Sequence, residues 1–178
     1  TLVRLLSRLE AMIGVAELLT QWSKRAQLPP TQGMMAKMIE DLQILALSPS
    51  LAEGRLAEFR EHAIQAVTLI GGVAIVLYAP DGQQLVNTRL DTGDQLPKRV
   101  EFDVERRAIQ TGLPQVSGLQ KAVVDGQSIV TIAVPVRIGA ETRYALNIGL
   151  STTYLSTLMD EYVSAGLVGS IVDTNGFL

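Results

Sequence analysis

Cysteine is missing from the 178 residues and histidine occurs once, as His62. Without a thiol there is no disulfide, no thiol nucleophile and no thiolate metal site. With one imidazole, the clustered-histidine metal site and most serine–histidine or cysteine–histidine catalysis are excluded as well. An excess of positive charge is also lacking: 15 Lys and Arg stand against 18 Asp and Glu, a net charge of -3. A nucleic-acid binder carries a concentrated basic face, so nucleic acid is not an expected partner. Long apolar runs are missing too. A membrane-spanning helix needs about 20 apolar residues, whereas "VTLIGGVAIVLYA" is shorter, holds two adjacent glycines and is rich in β-branched residues, the pattern of a buried strand with its approach.

Catalytic patterns are equally sparse. Glu40-Asp41 and Asp160-Glu161 sit in helical stretches, where neighbouring carboxylates mark a solvated face unless they converge on a substrate. Gly71-Gly72, Gly166 and Gly169 do not fall in a phosphate-binding loop pattern. His62, in "EFREHAIQAV", reads as a partly exposed helix residue. No cofactor, no metal and no catalysis are expected of this chain.

What is present is a hydrophobic content of 47%, enough for one core domain. From Leu2 to Gln27 apolar residues recur at three- and four-residue steps, the mark of an amphipathic helix, and Pro29-Pro30 interrupts it. A second helical pattern runs through "MMAKMIEDLQILAL". Ser48-Pro49-Ser50 then supplies a break and a cap for a third helix, "LAEGRLAEFREHAIQAV". After Gly71-Gly72 the period changes to two. "VAIVLY" and "QQLVN" read as strands joined by a Pro-Asp-Gly turn, Gly93 to Lys98 as loop, "DVERRAIQTG" as a short helix ended by Gly112, and "PQVSG" as an extended piece. "STTYLSTLMDEYVSAG" is helical, with Ser151 and Thr152 as candidate caps, and "LVGSIVD" is a final strand before the turn at Asn175-Gly176. Helices first and an antiparallel sheet after them make an α+β fold, with the long N-terminal helices packed on the sheet. The opening at Thr1 and the stop at "DTNGFL" read as a piece cut from a longer chain.

The longest hairpin is "SIVTIAVPVRI" followed by "TRYALNIGL". With a three-residue loop, Gly139-Ala140-Glu141, Val136 faces Tyr144, Val134 faces Leu146 and Ile132 faces Ile148, while Ala133 faces Asn147 and Thr131 faces Gly149. One side of the sheet is then bulky, to be covered by a long helix, and the other is small and polar. Room for a small molecule is expected on the second side, at Thr131 and Asn147; the competing reading is that loops and the helix around Ala108 fill it. Tyr78 offers that side an apolar wall and a hydroxyl. Arg89, Asp91, Lys121 and Asp125 either converge on a charged or zwitterionic ligand or pair with one another. Asn87-Thr88-Arg89 is expected to anchor the following loop at the rim.

Taken in order, "LALSPSLAEGRLAEF", "VLYAPDGQQLVNTRLDTGDQLPKR", "RRAIQTGLPQVSGL" and "VTIAVPVRIGAETRYALNIGLS" resemble the periplasmic Cache sensor domains, PAS-like modules of bacterial receptors. The likeness is to the double-Cache domains of membrane-bound sensor histidine kinases and runs from about Ile44 onward. The resemblance implies a helical signalling and dimerisation region over 1–70, a membrane-distal PAS-like sensor module over 71–165, and the start of a truncated second module or a linker over 166–178. It further implies a periplasmic domain of an inner-membrane protein, a small-molecule ligand, a homodimer through the N-terminal helix, and a histidine protein kinase as the parent. Related outputs are a chemoreceptor or a cyclic-dinucleotide synthase, and the plain alternative is a structural dimerisation module. The sequence departs from the amino-acid-binding members in one respect: Trp22 lies far upstream, and only Tyr78 and Tyr144 fall on the sheet.

Overall fold

The computed structural model describes residues 30–122 and 126–163, with side chains from 35 to 157. The expected helix Leu2 to Gln27, Asp125 and the strand "LVGSIVD" lie outside the described residues. The chain divides into two compact units, Thr1–Ala36 and Lys37–Leu178. Of the first, only the opening turns of a helix are described; the second holds the sheet.

Helix α1 spans Pro30–Ala46, a short α2 Pro49–Ala52 and α3 Leu56–Ile70. Strands β1 (Ala74–Tyr78) and β2 (Gln84–Asn87) follow, then α4 (Asp103–Thr111), β3 (Gln115–Val116), β4 (Gln120–Lys121), β5 (Ser128–Ile138), β6 (Glu141–Ser151) and α5 (Thr152–Val163). The sheet is antiparallel, ordered β2-β1-β6-β5-β3, with β4 also pairing β5. It is the α+β arrangement the period change indicates. Two local differences stand out. Ser48-Pro49-Ser50 does not cap one long helix, because Gly54 adopts φ 71 and breaks that stretch into α2 and a helix restarting at Leu56. Gln120–Lys121 is a strand where the sequence reads as loop. Ser151 does act as a cap: its Oγ accepts the Tyr154 N–H at 3.0 Å.

Paired rows run straight across three strands. Ile75, Ile148 and Ile132 form one row and Leu77, Leu146 and Val134 the next, all fully buried. Helix α3 packs on β1 and β2, and its Phe59 and Ala63 are fully buried, as is Leu42 of α1. Burying each such Leu, Ile or Phe stabilises the fold by roughly 1.5–3 kcal/mol, so this side carries the hydrophobic core. The other side has the rows Ala74, Gly149 and Thr131, then Val76, Asn147 and Ala133, then Tyr78, Ala145 and Pro135. Its side chains are small or polar, as the alternation in β5 and β6 requires.

The pairing of β5 with β6 is the one expected, reached by a different route. Arg137 pairs with Thr142 and Ile138 with Glu141, so the turn is two residues, with Gly139 at φ 63. The extra residue sits at a bulge between Val136 and Arg137 on one strand and Tyr144 and Thr142 on the other. A bulge moves the pairing by one residue as a longer loop would, which is why the inner register is the same.

Candidate functional site

Helix α4 covers one end of the small-residue side. Its Val104 and Ala108 pack against Ala133 and Ala145, with Ile109 against the cluster. The helix therefore fills part of the space, as the plain alternative supposes, but not all of it. Toward Ala74, Thr131 and Gly149 a hollow of about 50 Å³ stays open. One water needs roughly 10–15 Å³ on that measure, so the hollow takes a compact group of a few heavy atoms.

Its walls are polar at defined points. A bulge in β2 is decisive: Tyr78 pairs with Gln84, while Leu77 pairs with Val86 and Val76 with Asn87. Residues three apart on a regular strand face opposite sides; the extra residue, Leu85, brings Gln84 and Asn87 to the same side. There they are buried and linked. Gln84 Nε2 donates to Tyr78 Oη at 2.8 Å, Asn87 Nδ2 donates to Gln84 Oε1 at 2.8 Å, and the Arg89 N–H donates to Asn87 Oδ1 at 2.9 Å. Burial, ahead of the nearby Glu105 carboxyl, raises the Tyr78 phenol above its ordinary value, so it is a neutral hydroxyl at physiological pH. The ring is held by Phe102, stacked at 6.5 Å between centroids, and Phe102 in turn lies under the Arg106 guanidinium.

Arg99 reaches the hollow because of the Pro-Asp-Gly turn. Gly82 has φ 84, and a Cβ there would lie 2.1 Å from the Arg99 carbonyl oxygen. The bare glycine lets the returning chain dock on the hairpin, with the Arg99 N–H donating to Gly82 O at 2.9 Å and the Gln84 N–H to Pro97 O at 3.0 Å. Asp81 and Lys98 close the same junction as an ion pair at 2.5 Å, and the Lys98 hydrogen bond holds the Asp81 carboxyl below its ordinary value.

Four of the expected site residues line the hollow together: Tyr78, Arg89, Thr131 and Asn147. Arg89 is exposed at the rim. Thr131 is buried, its hydroxyl accepting from Gln120 Nε2 and its N–H donating to Ser117 Oγ at 2.7 Å. Asn147 donates to the buried Glu105 of α4, which ties the helix to the wall. Of the remaining three, Asp91 and Lys121 are not brought there. Asp91 lines a separate hollow beside Arg60 and Leu96 and turns its N–H to the Asp94 carboxylate at 2.9 Å. Lys121 is exposed and donates to Ser128 Oγ at 2.9 Å, and Asp125 lies outside the described residues. Thr88 anchors the loop as expected, its hydroxyl accepting the Ile75 N–H at 2.9 Å. His62 is exposed on α3. Sequence reasoning missed Gln84, Arg99 and Glu105.

Among the described residues the walls thus present two guanidiniums, three amides and two hydroxyls, and no carboxylate. Such a set suits a small anion, because guanidinium hydrogen bonds to carboxylate are charge-assisted.

In sequence, the chain matches no protein-family model and no curated protein. In structure it is similar to sensor domains of bacterial receptors. The ligand-binding domain of the Campylobacter jejuni chemoreceptor Tlp3, solved with 4-methylisoleucine, superposes with a TM-score of 0.61 at 14% identity, over 72% of this chain and 55% of that one. The sensor domain of the V. cholerae histidine kinase DctB gives 0.55 at 14% identity, over 84% and 60%. The E. coli DcuS sensor domain gives 0.59 at 14% identity, over 72% and 96%. The chain has the fold of these sensor domains and spans about half the length of the Tlp3 domain. Among the described residues no helix is long and apolar enough to cross a membrane.

Proposed function

We propose that this chain is an extracytoplasmic ligand-sensing domain of a two-component sensor histidine kinase, binding a small molecule on the open side of its sheet. The observation that carries this reading is the hollow between Tyr78, Arg89, Arg99, Thr131 and Asn147, set in a fold shared with receptor sensor domains. Its size and two cationic walls suit a small carboxylate. The signal passes by population shift: a ligand that binds one arrangement of the helices more tightly favours it by the difference in affinity. We place the kinase module outside this chain, anchor the parent in the inner membrane, and pair two copies through the N-terminal helix. A second reading, the sensor of a chemoreceptor, is favoured by the likeness to Tlp3.

A thermal-shift screen of carboxylates, amines, amino acids and purines tests the ligand reading. A compound at a hundred times its Kd stabilises the folded state by about 2.7 kcal/mol, which for a chain of this size is a rise of about 5–10 °C in Tm. No rise with any compound overturns the reading in favour of a structural module. Sedimentation of the whole chain at high concentration tests the pairing, and a monomer throughout counts against it.

A further inference from the structure

We propose that Tyr78 gives its hydroxyl hydrogen to an acceptor atom of the ligand, and that the side-chain amides of Gln84 and Asn87 hold it in that donor state. The proposal rests on the reading of the hollow as a ligand site and adds to it a rule for which groups fit beside Tyr78.

The argument starts from a group that cannot reverse. The backbone N–H of Arg89 can only donate, and it meets Asn87 Oδ1. Asn87 must therefore turn its NH₂ the other way, onto Gln84 Oε1. With its oxygen taken, Gln84 has only its NH₂ for Tyr78. Amide orientation is often ambiguous between oxygen and nitrogen, but here one fixed donor sets the direction of every later bond. The Tyr78 oxygen thus accepts from Gln84. Its own hydrogen finds no acceptor among the described residues.

That hydrogen can find an acceptor only inside the hollow, because Tyr78 is 2% exposed and its ring is clamped on Phe102. The hydroxyl can turn only about its C–O bond, and Tyr78 lines the hollow. A ligand carboxylate or carbonyl oxygen beside Tyr78 completes the chain of hydrogen bonds. A donor-only group such as an ammonium leaves the Tyr78 hydrogen without an acceptor, a mismatch that discriminates by leaving a buried polar atom unpaired. Gln84 and Asn87 are positioning residues, acting through Tyr78.

The test uses the whole chain and short-chain carboxylates from acetate to butyrate, titrated calorimetrically, with the tightest of them carried into a double-mutant cycle. Tyr78→Phe is expected to weaken binding by about 10- to 100-fold, the worth of a hydrogen bond to a charged group. Asn87→Asp reverses the relay. Its carboxylate takes the Arg89 N–H with one oxygen and needs a hydrogen from Gln84 with the other, so the Gln84 amide turns over and its carbonyl faces Tyr78. The hydroxyl then donates to Gln84 instead of to the ligand. In the Asn87→Asp background, Tyr78→Phe is expected to cost less than about threefold; the added charge is present in both arms and cancels.

Equal losses in both backgrounds overturn the relay, and no loss in the wild-type background overturns the donor role while the ligand reading stands. If no carboxylate binds the wild type, the inference fails with the carboxylate reading. Should a variant not fold, proton NMR of the wild-type chain decides: a slowly exchanging Tyr78 hydroxyl proton that shifts downfield and shows a cross-relaxation signal to the carboxylate supports the proposal, and a hydroxyl unmoved by saturating ligand overturns it.

Discussion

Replacing Gly82 by alanine separates two ways in which a glycine can be required. The first is backbone strain: at φ 84 an L side chain costs about 1–2 kcal/mol. The second is the close approach of the returning chain, since the new methyl would lie 2.1 Å from the Arg99 carbonyl oxygen. Backbone cannot yield there without disturbing the Arg99 N–H bond to Gly82 O and the neighbouring Gln84 N–H bond to Pro97 O, so an overpacking cost of about 1–3 kcal/mol is added. Gly93 provides the control. It has φ 105 with nothing within 4 Å of a built Cβ, so Gly93→Ala carries the strain alone, about 1–2 kcal/mol. Urea unfolding of the three proteins, with the slope held common, gives the differences directly. Gly82→Ala is expected to lose about 2–5 kcal/mol, roughly 4–20 °C in Tm for a chain of this length. If it loses no more than Gly93→Ala, the close docking of the Arg99 segment on the turn is refuted, and the placement of Arg99 at the hollow with it.

Two further outcomes follow from single interactions. Asn147→Ala removes the amide that donates to the buried Glu105 carboxyl and is expected to destabilise by about 3 kcal/mol; Glu105→Gln keeps an oxygen to accept from Asn147 and is expected to stay within about 1 kcal/mol of wild type, and the reverse order in chemical denaturation would contradict this account. Asp81→Asn keeps the oxygen that accepts the Gln83 N–H and removes only the charge facing Lys98. Because the folded Asp81 carboxyl titrates below its ordinary value of 3.8, the stability it lends is present above that value and is lost as the pH falls through the folded one. The small Tm advantage of wild type over Asp81→Asn at neutral pH should therefore fade in acid and in high salt; an advantage that persists in acid would rule out the ion pair as its cause.

How much of this was legible in the sequence depends on how local the cause is. The rows Ile132 with Ile148 and Ala133 with Asn147 are readable because bulky and small residues alternate on both strands, and a one-residue slip would exchange the faces. The placement of Thr131, Asn147 and Tyr78 in the wall follows from that register. Gln84 is a different case. Strict alternation puts it opposite Asn87 in facing, and only the bulge at Leu85 reverses this, a feature fixed by pairing with β1 and by the chain returning through Pro97. Arg99 is placed by the contact with Gly82 across 17 positions of chain, and Glu105 by a partner 42 positions away. The polar residues of the loops looked alike in sequence; their partners distinguish Arg89, at the hollow, from Asp91 and Lys121, turned to Asp94 and Ser128.

The junction at Pro97 and Lys98 has one more effect. An unprotected sheet margin is where two folded molecules most readily fuse into a continuous ribbon. At β2 that margin is occupied by the protein's own Lys98, bridged to Gln83, and by the carbonyl of Pro97, while the far margin offers only the two-residue strands β3 and β4. Copies crowded together at high concentration are thus hindered from zippering through these two margins of their sheets.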